Sequence, residues 1–183
     1  MRAFIAIQLP SKIKEEIEKI IKGLSKINLD CKWVESKNLH ITLKFLGEVE
    51  EEEKIDSIKN IMLELAKNYS SFVVTLNSFG FFPNQNYPRV FFISTDKQEI
   101  LKKIVNDLED KLINIGFPKE GRFSSHITLA RLKSAKNINL LKNELKNFTL
   151  NQTFIIQDIT FIKSTLMPSG PIYETIFIAT FKS

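Results

Sequence analysis

The chain has 183 residues, of which 43% are hydrophobic and 26% charged, with a formal net charge of +5 and a sequence pI of about 9.2. These numbers are those of a soluble globular protein with ample material for a core, and the modest positive charge favours an anionic partner only mildly. The single cysteine, Cys31, excludes an internal disulfide framework and fits a reducing cytoplasm, and no apolar stretch is long enough for a signal peptide or a membrane span.

The first half of the chain predicts two strand–helix pairs. Residues 3–9 form the first predicted strand, and Pro10 and Ser11 open a helix whose apolar residues recur at i, i+4, i+7 and i+8 on one buried face. A second strand is predicted at 39–46. The acidic residues 48–53 then favour the start of another helix, because carboxylates stabilise the positive end of the helix dipole. The apolar positions that continue this helix are Ile55, Ile58, Met62, Leu65 and Tyr69.

The second half repeats this alternation. Strands are predicted at 71–79 and 89–95, on either side of a loop at 81–88 whose aromatic residues either stack on a base or cover an edge of the core. Asp96 and Glu99 form a predicted capping box for a third helix. Its predicted buried stripe and its C-terminal stop are Ile100, Leu101, Ile104, Val105, Leu108, Leu112 and Gly116. The remaining predicted elements are a strand at 123–132, a short helix at 137–147, and strands at 153–163 and 172–181 joined by a loop at 167–171.

The order β-α-β-α-β, repeated and followed by one more strand, predicts packed α/β or α+β layers. No glycine-rich turn follows the first strand, where Gln8-Leu9-Pro10-Ser11 stands, and no phosphate-binding loop motif occurs later. A dinucleotide- or ATP-binding fold is therefore disfavoured. Because no linker is long enough to separate independent domains, we expect residues 1–183 to form one domain.

The tetrapeptide His-Ile-Thr-Leu occurs twice, at 40–43 and 126–129, and it contains the only two histidines of the chain. A chance match of the three residues after the histidine has a probability of about one in a thousand. Short apolar runs at 4–7 and 90–93 precede the two copies, and these runs lie 86 residues apart, as the histidines do. The sequence therefore predicts a duplicated unit.

In each copy, strand alternation places His and Thr on one face and Ile and Leu on the other. The apolar pair would anchor the strand on a core, and a pseudo-twofold axis would bring the two polar faces together across a groove. Two imidazoles that titrate near pH 6.5 supply a neutral ring to take a proton from water and a protonated ring to give one to a leaving alkoxide. Phosphodiester cleavage needs that pair, together with donors for the charge on phosphorus.

The candidate donors are the two threonine hydroxyls and the cations Lys44, Arg131 and Lys133. Arg131 lies five residues after His126, so strict alternation points it away from the groove unless the strand bends there. Two other interpretations remain open. A lone strand histidine is more often structural, although identical contexts favour function for this pair. A zinc site would need more ligands than Cys31 and scattered carboxylates offer.

These residues carry a resemblance to the 2H phosphoesterase superfamily, which is defined by two HxTx motifs on paired strands. More narrowly, the chain resembles the archaeal and bacterial RNA 2′,3′-cyclic phosphodiesterases, historically called 2′-5′ RNA ligases. The likeness extends over essentially the whole chain. It includes RAFIAI at the start, WVESKNLHITLKFLGE, SSHITLARLK, and STLMPSGPIYET near the end.

The resemblance implies an α+β fold in which two antiparallel sheets flank a central groove, helices cover the outer faces, and one lobe carries both chain termini. It implies that His40 is the proton donor and His126 the proton acceptor. The implied phosphate- or substrate-binding residues are Thr42, Thr128, Arg131 and Tyr173. The expected reaction opens a 2′,3′-cyclic phosphate at an RNA 3′ end and leaves a 2′-phosphate, without a metal or another cofactor.

The implied partner is RNA with cyclic phosphate ends, tRNA fragments among them, and the implied state is a cytoplasmic monomer without membrane contact. Three alternatives remain open: a small cyclic nucleotide or a 2′-5′ linkage as the substrate, ligation as the reverse reaction, and a non-catalytic RNA-end binder. The binder is disfavoured, because backbone binding alone would favour Lys and Arg over a doubled His-Thr pair.

Overall fold

The computed structural model describes all 183 residues and contains nine strands, four α-helices and three short 3₁₀ turns. In chain order the strands and α-helices are β1 (Arg2–Gln8), α1 (Ser11–Leu24), β2 (Cys31–Trp33), β3 (His40–Glu48), α2 (Glu52–Ala66), β4 (Phe72–Phe82), β5 (Val90–Thr95), α3 (Gln98–Leu112), β6 (His126–Leu132), α4 (Ile138–Glu144), β7 (Thr153–Ile156), β8 (Asp158–Met167) and β9 (Gly170–Thr180). The predicted alternation is confirmed, with the short strand β2 added.

Several predicted segments have different boundaries. The strand predicted at 153–163 is two strands, because the chain changes partners at Gln157: β7 pairs with β4, whereas β8 pairs with β1. The loops predicted at 81–88 and 167–171 are shorter than expected, since β4 extends through Phe82 and β8 is joined to β9 by a two-residue turn. Strand pairing, which local residue preferences do not encode, sets these limits.

The strands form one strongly curled antiparallel sheet in the order β7-β4-β5-β6-β3-β1-β8-β9, with β2 beside β6. Its terminal lobe (β3, β1, β8 and β9) carries both chain ends, and its middle lobe consists of β7, β4, β5, β6 and β2. The lobes join through one residue pair, Ile41 opposite Ile127. The expected α+β fold with two antiparallel sheets flanking a groove is confirmed, and the two sheets are continuous at this one point.

The helices pack on one face of the sheet and leave the other face free. Between helices and sheet lies a core of 40 buried hydrophobic residues. It includes five residues of the predicted stripe of α1, namely Ile13, Ile17, Ile20, Ile21 and Leu24, whereas Ile27, which was also predicted in this stripe, lies beyond the end of α1 and is partly buried. Strand β1 shows the division: Ile5 and Ile7 enter this core, whereas Phe4 and Ala6 form a small separate cluster with Ile162 on the helix-free face. None of the helices has the length and hydropathy that crossing a membrane requires.

The predicted start of α3 is wrong in its detail. Asp96 does not cap the helix, because its carboxylate accepts a hydrogen bond from the Thr75 backbone N–H of the neighbouring strand, at 2.7 Å. The residue before the helix is Lys97, in the left-handed region at φ 57°, and no side chain caps it. Ile100 is 39% exposed because it lies at the edge of the buried stripe, whose other predicted members are buried. The 3₁₀ turn after α3 ends, as predicted, at Gly116, whose φ is 95°.

The 86-residue repeat extends to the pairing of the strands. β1 pairs with β3 as β5 pairs with β6, so that equivalent residues have equivalent partners: Ala6–Thr42 and Gln8–His40 correspond to Phe92–Thr128 and Ser94–His126. Each pairing also contains a β-bulge, in which Leu43 and Leu129 are skipped. A bulge inserts one extra residue and re-aims the side chains beyond it. The duplicated unit predicted from sequence is therefore confirmed, with a bulge that the sequence did not predict.

Candidate active site

Both histidines face the helix-free side of the sheet at the junction of the two lobes. His40 is the first residue of β3 and His126 the first residue of β6, and the isoleucine that follows each is fully buried in the core. The two isoleucines, Ile41 and Ile127, pair with each other across the junction. They are themselves 86 residues apart, so the local twofold axis passes between them. The predicted alternation of polar and packing side chains is confirmed.

The antiparallel register at this axis interleaves the two motifs. Residues that flank a pair of partners lie opposite each other, so His40 is level with Thr128, and Thr42 is level with His126. Each imidazole thus has one threonine on its own strand and another across the junction. This arrangement brings the four predicted motif side chains into one site on the helix-free face.

Each imidazole is held by a backbone carbonyl two residues earlier. His40 Nδ1 lies 2.7 Å from the Asn38 carbonyl oxygen, and His126 Nδ1 lies 2.7 Å from that of Ser124. An Nδ1–H that donates to a carbonyl leaves Nε2 as the atom that gains and loses a proton. The carbonyl partners are also 86 residues apart, so the duplication sets the orientation of both rings.

The copies differ in the bond at Nε2. His40 Nε2 lies 2.9 Å from Thr42 Oγ1, so the threonine hydroxyl donates to the neutral ring. Thr128 makes no such bond to His126. Burial lowers the pKa of His40 from 6.5 to about 4, and burial also lowers the pKa of His126. Both rings are therefore neutral at pH 7 in the free protein, and a bound anion would raise both pKa values.

Arg131 reaches the site because of the bulge in β6. The bulge places Ala130 in the core and turns the exposed Arg131 to the helix-free face. Burial is the main cause of the lowered pKa of both histidines and of the raised pKa of Tyr173, and the positive charge of Arg131 opposes protonation or favours ionisation at all three, so Arg131 lies within electrostatic range of them. The bend that strict alternation required for Arg131 is thus present in the strand.

Lys44 does not reach the site, contrary to the sequence prediction. The bulge in β3 turns it toward the helices, where it is 2% exposed and its Nζ lies 2.8 Å from Glu109 Oε1. Its Nζ also donates to the Pro118 carbonyl at 2.6 Å and lies 3.3 Å from Glu120 Oε1. Lys133 lies past the end of β6, beside Cys31, and neither histidine feels its charge. Arg131 is therefore the one predicted cation that faces both histidines.

Aromatic rings flank each imidazole. Phe4 and Tyr173 lie 5.0 Å and 5.4 Å from the His40 ring, centroid to centroid, and burial raises the pKa of Tyr173. Phe82 and Phe92 lie 4.9 Å and 5.4 Å from the His126 ring. Tyr173 thus lies beside His40, and its role in substrate binding stays a prediction. Phe4 and Phe92 were not predicted, although strand alternation places Phe4 and Ala6 on one face.

Two neighbouring phenylalanines of the predicted aromatic loop at 81–88 lie on opposite faces of the sheet, and a role of this loop in stacking on a base stays a prediction. Phe81 stacks on Phe91 at 5.2 Å on the core side, and Phe82 stacks on Phe92 at 4.1 Å beside His126. Gly80 makes room for this second stack, because a Cβ there would lie 2.4 Å from the Phe92 ring. The stacking of Phe82 on Phe92 beside His126 therefore depends on the absence of a side chain at Gly80.

Two surface features lie away from the histidines. A small cavity of about 20 Å³ adjoins Leu43 and Glu109, and a cavity of about 300 Å³ lies between residues 85–88 and 135–142. No three His, Cys, Asp or Glu side chains are grouped in a way that could hold a metal ion.

Comparison with known proteins gives the following matches. A family model described as LigT like Phosphoesterase matches residues 7–92 and 93–173, once for each repeat. A relative from Methanocaldococcus jannaschii, named RNA 2′,3′-cyclic phosphodiesterase, is 39% identical over 178 residues, which cover 96% of this chain and 98% of the relative. A relative of the same name from Thermotoga maritima is 32% identical over 194 residues and covers 100% and 96%. The crystal structure of TT0787 of Thermus thermophilus has a TM-score of 0.82 at 25% identity, covering 99% of this chain and 98% of that one.

Proposed function

Because the chain belongs to the LigT like phosphoesterase family, we propose that it hydrolyses the 2′,3′-cyclic phosphate at an RNA 3′ end and leaves a 2′-phosphate. The observation that carries this proposal is the paired geometry of His40 and His126. Each begins a strand, is anchored through Nδ1, and faces one site beside a threonine. The names of the relatives support an RNA cyclic phosphate as the substrate.

In this proposal the two Nε2 atoms divide the proton transfers. His126 Nε2 takes a proton from a water molecule, whose oxygen forms the new bond to phosphorus. The bond from phosphorus to O3′ breaks, and His40 Nε2 gives its proton to that oxygen, so one proton enters the pair and one leaves it. Placed acids and bases of this kind contribute roughly a hundred- to ten-thousandfold each.

His40 must carry a proton before it can act as the acid, although burial keeps it neutral in the free protein. A cyclic phosphodiester is an anion, and a negative charge beside the ring raises the pKa of the imidazole. We therefore expect the substrate to bind together with a proton. The Thr42 hydroxyl, which donates to the neutral ring, would rotate to accept from the protonated one.

Charge that develops on the phosphoryl oxygens needs donors that are already in place. We assign this role to Arg131 and to the hydroxyls of Thr42 and Thr128, which share the helix-free face with the histidines. The phenol of Tyr173, whose edge-on ring packs against His40, would bind the sugar or the phosphate. These donors lie in a partly dehydrated site, where the electrostatic interaction of each donor with the phosphate is stronger than in water.

The proposal also covers the RNA substrate, the oligomeric state and the cellular location. RNA fragments such as those of tRNA are the proposed substrates, because the site is built for a terminal phosphate and the relatives are named for RNA. A monomer is the proposed working form, since one chain supplies every side chain of the site. The single cysteine supports a reducing cytoplasm as its location.

The test uses an oligonucleotide that ends in a 2′,3′-cyclic phosphate, assayed with and without a chelator. We expect turnover in both conditions, a product that carries a 2′-phosphate, and a loss of at least about a hundredfold in His40→Ala and in His126→Ala. Circular dichroism and thermal unfolding of both variants control for loss of fold.

The outcomes separate the alternatives. Chelator-sensitive turnover, or histidine variants with full activity, would contradict the two-histidine mechanism. Tight binding without turnover would support an RNA-end binder instead. Faster reaction with a 2′-5′-linked oligonucleotide, or with a mononucleotide, would move the proposal to those substrates, and a 3′-phosphate product would reverse the assignment of the leaving oxygen.

A further inference from the structure

The backbone carbonyls that anchor the two histidines lie in different kinds of structure. The Asn38 carbonyl belongs to a 3₁₀ turn, and the Asn38 side chain also donates a hydrogen bond to the Pro171 carbonyl at 3.0 Å. The Ser124 carbonyl lies in a segment, 117–125, that contains neither helix nor strand. The orientation of His126 therefore depends on what holds this irregular segment in place.

The side chain of Gln98, the first residue of α3, holds the end of the segment. Its Oε1 accepts a hydrogen bond from the Ser125 backbone N–H at 2.8 Å, and its Nε2 donates to the Ser125 carbonyl at 3.1 Å. Nε2 also donates to the Thr95 carbonyl at 2.7 Å, so both of its protons and the amide oxygen are used. The amide thus takes the place of a strand partner for Ser125, the residue that joins Ser124 to His126.

A buried pair of hydroxyls holds the same residue by its side chain. Ser125 Oγ lies 2.6 Å from Thr95 Oγ1, and both residues are buried. The equivalent residues of the first copy, 86 positions earlier, are Leu39 and Leu9, which are also buried. Hydrogen bonds have a preferred direction and apolar contacts do not. The second copy therefore defines the backbone before its histidine by directional bonds, where the first copy uses apolar packing.

The position of the Ser125 backbone determines where the Ser124 carbonyl meets His126 Nδ1. This bond decides which nitrogen of the neutral ring carries the proton, and it leaves Nε2 free to accept one. His126 has no threonine bond at Nε2, unlike His40, so the bond at Nδ1 is the only hydrogen bond that orients its ring. A displacement of about 1 Å in a reacting group costs up to about a hundredfold in rate.

We propose that Gln98 is a positioning residue for His126. Through Ser125 it keeps the Ser124 carbonyl at Nδ1, and it thereby keeps the neutral ring in the tautomer that accepts a proton at Nε2. This inference rests on the proposed function, in which His126 Nε2 takes a proton from water. The role belongs to the second copy alone, because the equivalent residue of the first copy is Lys12, which is exposed.

The test replaces Gln98 by Met, which is similar in length and removes all three hydrogen bonds of the amide. For an oligonucleotide that ends in a 2′,3′-cyclic phosphate, we expect kcat to fall about tenfold and KM to stay within about twofold, because the base moves and the phosphate donors do not. Long-range proton–nitrogen NMR correlation resolves the imidazoles, since the chain has only two. His126 should lose its single Nδ1–H tautomer, and His40 should keep its own.

Asp96→Ala is the matched control, because Asp96 also lies beside the start of α3 and also bonds a strand backbone, the Thr75 N–H at 2.7 Å. It should lower the thermal stability as Gln98→Met does and change neither kcat nor the tautomer. Ser125→Ala keeps both backbone bonds to Gln98 and should also keep the His126 tautomer. Gln98→Asn, whose amide is too short to reach Ser125, provides the same test if Gln98→Met does not fold.

Three outcomes would overturn the inference: an unchanged kcat or tautomer in Gln98→Met, an equal change in Asp96→Ala, or an equal change at His40. The last two would show that loss of stability, rather than the position of His126, causes the effect. If the wild type does not hydrolyse the substrate, the proposed function fails, whereas the NMR comparison still tests whether Gln98 positions the ring.

Discussion

The two His-Ile-Thr-Leu copies share a backbone and differ in what surrounds it. Both have the same register, the same bulge and the same carbonyl bond to Nδ1. They differ in the side chain five residues after the histidine, in the aromatic rings beside each imidazole, and in whether a threonine hydroxyl bonds Nε2. In the proposed mechanism, duplication thus provides two similar proton-transfer groups, and the differences between the copies provide direction, because a reaction that moves a proton from one side to the other needs unequal sides.

The largest expected effect concerns the core side of the bulge, where Lys44 in one copy corresponds to Ala130 in the other. Lys44→Ala would leave Glu109 buried without its partner and should lower the free energy of unfolding by about 3–5 kcal/mol. Urea unfolding measures this loss. Lys163→Ala breaks an ion pair whose side chains are 40% and 64% exposed, and should cost no more than about 1 kcal/mol. Equal costs in the two variants would contradict the buried role of Lys44.

The second prediction compares the two imidazoles through the pH dependence of stability. The pKa of folded His40, about 4, lies below its unfolded value of 6.5, so the unfolded chain binds the proton first as the pH falls. The stabilisation from the neutral ring is complete above about pH 6.5, declines between 6.5 and 4, and amounts to about 3 kcal/mol in total. His40→Ala should remove most of this decline, and His126→Ala, at the more exposed ring, should remove less.

Urea unfolding at several values between about pH 4 and 7.5 provides the comparison. If His126→Ala flattened the pH profile more than His40→Ala did, the order of burial inferred for the two rings would be wrong.

The third prediction concerns Arg131, whose equivalent position in the other copy holds Phe45. Arg131→Ala should lower kcat/KM about a hundredfold, because the guanidinium offsets charge that develops on the phosphoryl oxygens. Arg131→Lys should restore part of the rate, since it keeps the charge and loses the planar fork. Arg89→Ala is the matched control, as its guanidinium bonds the Lys133 carbonyl instead, and it should stay within about twofold. A similar loss in both variants would indicate general electrostatic attraction of RNA.

The smallest expected effect compares the two threonines. Thr42→Val and Thr128→Val should each lower kcat about tenfold through loss of a phosphate donor. Only Thr42→Val should also shift the acidic limb of the kcat/KM profile, because only the Thr42 hydroxyl bonds the Nε2 atom of a histidine. Profiles from pH 4 to 8 for both variants test this, and identical limbs would refute the asymmetry.

Periodicity and repetition predicted much of the fold and the centre of the site. The repeat at 40–43 and 126–129 required no structure to be recognised, and alternation correctly divided it into packing and polar faces. The bulge was not predictable, because it depends on how two strands pair rather than on the residues of either. That one feature moved Lys44 out of the site and Arg131 into it.

The aromatic rings beside the histidines show a second limit of prediction from the sequence. Phe82 was placed in a loop with two alternative roles, and its strand position beside His126 follows from pairing with β5. The capping prediction at Asp96 failed for a similar reason, since a strand backbone N–H competes for the same carboxylate. Local preferences are overridden where distant segments supply a better partner.

The central claim is that the two histidines act as one unit in a single reaction step. The most direct measurement is kcat/KM for cyclic phosphate hydrolysis in His40→Ala, in His126→Ala and in the double variant. Groups that act together are not additive, so the double variant should be about as slow as the slower single variant. A double variant whose loss equals the product of the two single losses would contradict the claim, because it would show that the histidines act independently.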